Sequence, residues 1–107
     1  MKMTEKREEE IQALLQRRNE LEESLKALPY TGTTEIKTTG KRRYIYVRKL
    51  TDGKLTTTYI GRYSDELLKE VRGITAEGKA IRKELRHIAL LLNRLDGSGE
   101  PDSTADL

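Results

Sequence analysis

Residues 1–95 of this 107-residue chain read as an α+β protein: a long antiparallel coiled-coil helix pair with a small, two- to three-stranded antiparallel β-sheet between the helices. Three observations lead there. A seven-residue apolar repeat runs through both flanks of the chain. Between the repeats the period drops to two, in segments rich in Tyr, Ile, Val and Thr. Those segments meet at an Asp-Gly pair, which favours a tight hairpin turn.

The first helix is expected over residues 4–28. Ile11, Leu14, Leu21, Leu25 and Leu28 alternate in three- and four-residue steps, which places them on one stripe, with Arg18 filling the remaining seam position. Thr4 is the expected N-cap, acidic residues suit the first turns, and Pro29 ends the helix. The sheet is expected over residues 33–61. A short polar strand centres on Ile36; "RRYIYVRKL" and "KLTTTYIG" follow, joined by Asp52-Gly53. That turn sets Leu50 opposite Leu55, Arg48 opposite Thr57 and Tyr46 opposite Tyr59. Alternation then puts Tyr44, Tyr46, Arg48, Leu50, Leu55, Thr57 and Tyr59 on one face, and Arg43, Ile45, Val47, Lys49, Lys54, Thr56, Thr58 and Ile60 on the other. Both faces are partly apolar. Ile36, Ile45, Val47 and Ile60, short and branched, are expected to face the helices.

The second helix is expected over residues 64–95, capped by Ser64 and stopped by Gly97. Leu67, Val71, Ile74, Gly78, Ile81, Leu85, Ile88, Leu92 and Leu95 keep the heptad spacing. Matching Leu28 to Leu67 sets Leu14 near Ile81, Ile11 near Leu85 and Arg18 opposite Gly78, where a residue without Cβ leaves room for a large side chain. In that register Ile88 and Leu92 meet Arg7 and Thr4, which are poor partners. A second copy or a partner protein is therefore expected on Ile88, Leu91, Leu92 and Leu95. The alternative is that Met1 and Met3 fold over this end. Residues 1–95 form one expected domain, and residues 96–107 an expected disordered acidic tail.

Composition narrows the function classes. Hydrophobic residues make up 35% of the chain and charged residues 36%, so a narrow seam in an elongated shape is expected rather than a thick core. The absence of cysteine excludes disulfides and thiolate metal sites. A lone histidine, His87, argues against a His-based metal site or acid–base mechanism. "GITAEGKAIRK" holds Gly-Lys within a helical pattern, not in a phosphate-binding loop after a strand. Glu8, Glu9 and Glu10 point different ways on a helix, so no metal site is expected. No enzyme activity, cofactor or small-molecule substrate is expected. The charged N-terminus is no signal peptide and no stretch approaches a membrane span, so a cytoplasmic protein without membrane contact is expected.

The charge is uneven. Residues 29–63 carry eight Lys/Arg against two Asp/Glu, while residues 96–107 carry four acidic groups and no basic one. The basic hairpin is the candidate site. Arg42, Arg43, Arg48, Lys49, Lys54 and Arg62 suit phosphate contacts, and Thr56, Thr57 and Thr58 offer hydroxyl donors. Tyr44, Tyr46 and Tyr59 have two readings. They can stack on bases of a single strand, but packing on a helix is the favoured one, because the chain needs their buried area.

The run "KRRYIYVRKLTDGKLTTTYIGRY", between "LPYTGTTEIKTT" and a long charged helix, resembles a pattern in small, largely uncharacterised proteins of bacteria, archaea and mobile elements. More weakly, the order of hairpin and helix is similar to the three-stranded arm-binding domains of phage and transposon integrases, which bind DNA through the sheet. This chain departs from those domains in its long N-terminal helix. The resemblance implies a phage or mobile-element protein that binds nucleic acid or a nucleoprotein complex through the basic hairpin. The alternative is an anti-CRISPR-like inhibitor or adaptor that docks on a larger host protein through its helices.

Overall fold

The computed structural model describes residues 2–95. Five elements follow in order: α1 (Lys2–Ala27), β1 (Thr33–Thr39), β2 (Arg42–Thr51), β3 (Lys54–Arg62) and α2 (Asp65–Leu95). The strands form one antiparallel sheet in the order β1-β2-β3. Two long helices with a three-stranded antiparallel sheet between them in the chain is the expected α+β arrangement. Residues 96–107, read as a tail, lie outside the described residues, as do Gly97 as a helix stop and the side chains of Met1 and Met3.

The helix boundaries differ at one end. α1 is already under way at Lys2, so Thr4 lies inside the helix and is not its cap. At the start of α2, Ser64 does cap: its Oγ accepts a hydrogen bond from the Leu67 amide at 3.0 Å, and Asp65 and Glu66 occupy the first turn.

The chain divides into two compact units. One is Lys26–Ala80; the other joins Met1–Leu25 with Ile81–Leu107.

In the unit Lys26–Ala80 the sheet packs one face on the N-terminal half of α2. Ile45, Val47 and Val71 are fully buried, with Tyr30, Ile60, Tyr63, Leu67 and Leu68 packed around them. Burying each branched side chain contributes about 1.5–3 kcal/mol. The short aliphatic residues therefore face the helix as expected, although Ile36, directly opposite Ile45, keeps 37% of its surface exposed because β1 is an edge strand. The hydroxyls of Thr34 and Thr75 meet at 3.1 Å on the same side, and Thr75 also donates to the Arg72 carbonyl.

Two turns and one irregularity set the register. Asp52 and Gly53 both have positive φ, the type I′ pattern, and the pairs Leu50–Leu55, Arg48–Thr57 and Tyr46–Tyr59 form as expected. Between β1 and β2 the connection is Gly40-Lys41, with positive φ at Gly40 alone. Further along, Tyr46 pairs with Tyr59 but Ile45 pairs with Gly61, which leaves Ile60 as the extra residue of a β-bulge.

In the other unit, Leu21, Ile81 and Ile88 are buried between the helix segments, and Arg17 grips Glu84 through Nε at 3.0 Å and a terminal nitrogen at 3.3 Å. Ala13 and Leu14 share an open apolar groove with Leu91 and Leu95, edged by Glu10 and Arg94.

These contacts correct the expected helix register. The atoms nearest to Gly78 belong to Leu28 and Thr31, in place of the expected Arg18, and Leu14 lines its groove with Leu91 and Leu95. The Arg17–Glu84 pair lies about six residues, close to one heptad, further along α2 than the expected register sets it. The reason is the sheet. Leu67, Leu68 and Val71 are taken up under its inner face, so α1 meets α2 only further along, and a heptad pattern fits equally well after a seven-residue shift. One consequence removes a candidate interface residue: Ile88 is 2% exposed, covered by its own chain, and offers nothing to a second copy.

Candidate functional site

The outer face of the sheet follows from strand alternation. β1 contributes Thr33, Glu35, Lys37 and Thr39 to it, β2 contributes Arg42, Tyr44, Tyr46, Arg48 and Leu50, and β3 contributes Leu55, Thr57, Tyr59 and Arg62. The three tyrosines are therefore not packed on a helix, contrary to the favoured expectation. Ile45, Val47, Ile60 and Leu67 already fill the inner layer, and side chains on alternate positions must point away from it. The tyrosines that do reach the core are Tyr30 and Tyr63.

Tyr46 and Tyr59 meet edge-on, with ring centroids 5.4 Å apart, and Tyr44 lies 6.1 Å from Tyr59 in a tilted arrangement. Tyr59 keeps 55% of its surface exposed. The Lys37 ammonium sits 4.6 Å above the Tyr46 ring, within cation–π range. Around this cluster stand Arg42, Arg48 and Arg62. Arg62 is directly opposite Tyr44, and Arg48 is one step beyond Tyr46 on β2. The face carries one carboxylate among the described residues, Glu35, 3.9 Å from the Arg48 guanidinium. Arg42 and Arg62 make no ion pair with any described residue.

The structure splits the residues expected to bind. Arg42, Arg48 and Arg62 share the outer face. Arg43, Lys49, Thr56 and Thr58 lie on the side toward the helix, and Lys54 follows the turn. Arg43 is committed elsewhere: its guanidinium stacks 3.9 Å over Tyr63, whose hydroxyl donates to Asp65 at 2.8 Å. That hydrogen bond, helped by burial and the Asp65 charge, holds the Tyr63 phenol above its ordinary pKa against the opposing charges of Arg43 and Arg72. Thr56 spends its hydroxyl on the Lys49 carbonyl at 3.2 Å. Of the expected contact residues at the helix end, Leu91, Leu92 and Leu95 are half-buried, and Leu90 is the exposed leucine there.

Lys37 was missed by sequence reasoning. The signal was present in Gly40-Lys41: reading it as a two-residue turn pairs β1 with β2 and sets Lys37 beside Tyr44.

The arrangement can hold a flat π-face against tyrosine and an anion against arginine or lysine. Glu8, Glu9 and Glu10 lie exposed on α1, and no group of three His, Cys, Asp or Glu gathers for a metal among the described residues. Among those residues, no helix is long and apolar enough to cross a membrane.

Compared with curated proteins and with solved structures, the chain matches none. A family model covers residues 5–70, a span that takes in nearly all of α1, the whole sheet and the first turns of α2. The chain with the tyrosine-bearing sheet belongs to the family described as a domain of unknown function, DUF6788.

Proposed function

We propose that this protein binds single-stranded nucleic acid, free or within a nucleoprotein, on the outer face of its sheet, without catalysing a reaction on it. The observation that carries this reading is the cluster of Tyr44, Tyr46 and Tyr59 on an uncovered face, ringed by Lys37, Arg42, Arg48 and Arg62. Aromatic side chains on an open sheet let successive bases stack whatever their identity, at about 1–3 kcal/mol per base. The surrounding cations neutralise phosphates and release counterions. An aromatic cluster kept for stability alone would be worth more turned inward, where its area leaves water.

The test is fluorescence anisotropy of labelled single-stranded DNA and RNA oligonucleotides, with Tyr59→Ala and the double variant Lys37→Ala/Arg62→Ala. All three positions are on the outer face, so circular dichroism should be unchanged. Binding by the wild type, weakened by both variants, is the expected result. Absence of binding, or binding that neither variant weakens, rules out this face. A mobile-element origin fits a protein of this kind and is part of the same proposal.

A further inference from the structure

Past the end of β1 the sheet narrows. Thr33 pairs with Arg48, and beyond that pair only β2 and β3 continue, as a two-stranded arm from Lys49 to Thr56. Two leucines face each other across this arm, Leu50 and Leu55, at 67% and 59% exposure. They lie on the same side as the tyrosines, since residues 44, 46, 48 and 50 and residues 55, 57 and 59 alternate onto one face. The arm is cationic: Arg48 stands beside Leu50 on the same face, and Lys49 and Lys54, next to the leucines in sequence, alternate onto the opposite face and make no ion pair with any described residue. Pairing this tip with a second copy of itself would bring those cations together, which costs free energy. A polyanion is favoured by the same charges.

We propose that the Leu50–Leu55 pair is a wedge that enters the base stack where a single strand meets a duplex, so that the protein prefers such junctions to either form alone. This rests on the single-strand reading of the tyrosine face. A strand laid over Tyr44, Tyr46 and Tyr59 continues along the same face to the leucines. Apolar side chains on a cationic ribbon part adjacent base steps, while Arg48 on the same face meets a phosphate and the lysines of the other face add to the attraction of the arm for a polyanion. The end of a duplex is the cheapest place to insert, because its last pair stacks on one side only.

The experiment compares a plain single strand, a blunt duplex, and a duplex with a single-stranded tail of about ten nucleotides, a length within the usual site size of small sheet-based binders. 2-Aminopurine at the first paired position reports unstacking, and DNA and RNA versions are both measured. Expected is severalfold tighter binding to the tailed duplex than to the single strand in at least one of the two chemistries, with a rise in 2-aminopurine fluorescence. The variant Leu50→Ser/Leu55→Ser, at two exposed positions, should lose the preference and the fluorescence rise while binding the single strand within about twofold of wild type. Equal affinity for the tailed duplex and the single strand in both chemistries overturns the wedge and leaves the tyrosine face standing. So does an unchanged preference in the serine variant. Failure to bind the single strand at all removes both proposals.

Discussion

A Cβ at position 32 has nowhere to go. Gly32 has φ of +134°, a backbone conformation few other residues adopt, and a methyl group there would collide with the carbonyl oxygen of Arg48. Gly53 also has positive φ, but the space around it is open. The two glycines should therefore respond differently. Gly32→Ala combines backbone strain with a backbone clash and should cost more than about 2 kcal/mol in urea denaturation. Gly53→Ala carries strain alone and should cost about 1 kcal/mol. Glu35 makes a second residue-scale prediction. It is paired with Arg48, and on the proposed reading would compete with a phosphate there, so Glu35→Gln should tighten single-strand binding by about two- to fivefold at low salt, measured by anisotropy. Unchanged or weaker binding would mean that Arg48 does not meet phosphate.

Among the elements, the hairpin was legible in the sequence and the helix pairing was not, for physical reasons. Asp52-Gly53 admits one turn type, and a turn of two residues leaves no freedom in which residues face each other. The heptads of α1 and α2 are satisfied equally well seven residues out of step, so local pattern cannot choose among registers. The choice falls to Leu67, Leu68 and Val71, which serve the sheet before the helix pair begins. The tyrosines were misjudged for a related reason: both sheet faces contain apolar residues, and only the burial of Ile45 and Val47 decides which face is inner. The Arg17–Glu84 pair offers a test of the register reached. Its hydrogen bond to Arg17 holds the Glu84 carboxyl below the usual carboxylate range, against a smaller opposing effect of burial. A folded-state pKa below the unfolded one gives stability that is present above the unfolded pKa and lost as pH falls through the folded one. Glu84→Gln should therefore melt at a lower temperature than wild type near neutral pH. The gap should close in acid, as followed by circular dichroism at both ends. A gap that persists in acid would mean that the pair is not what stabilises this contact.

Taken whole, the molecule separates charge along its sequence. The chain carries a net +3, while the segment 29–63, which holds the sheet, has eight basic residues and two acidic ones. If the four outer-face cations Lys37, Arg42, Arg48 and Arg62 each meet a phosphate, the logarithm of the binding constant should fall against the logarithm of salt concentration with a slope of about −3. Arg62→Ala should reduce that slope by about 0.7. A flat salt response would point away from nucleic acid and toward a protein partner. Arg62 owes its place to the bulge at Ile60, and the bulge sets a parity for everything downstream. With Ile60 inserted, Gly61 nestles under Leu67, Tyr63 turns inward to meet Arg43, and Arg62 joins the tyrosines. Flatten the bulge with Ile60 kept, so that Ile60 takes the place opposite Ile45, and odd and even trade places: Arg62 is driven toward the aliphatic layer while Tyr63 swings out. A one-residue deletion in β3 should thus be least costly at position 60, where Gly61, Arg62 and Tyr63 keep their partners, and ruinous between Leu55 and Tyr59, where it turns Tyr59 toward the helix.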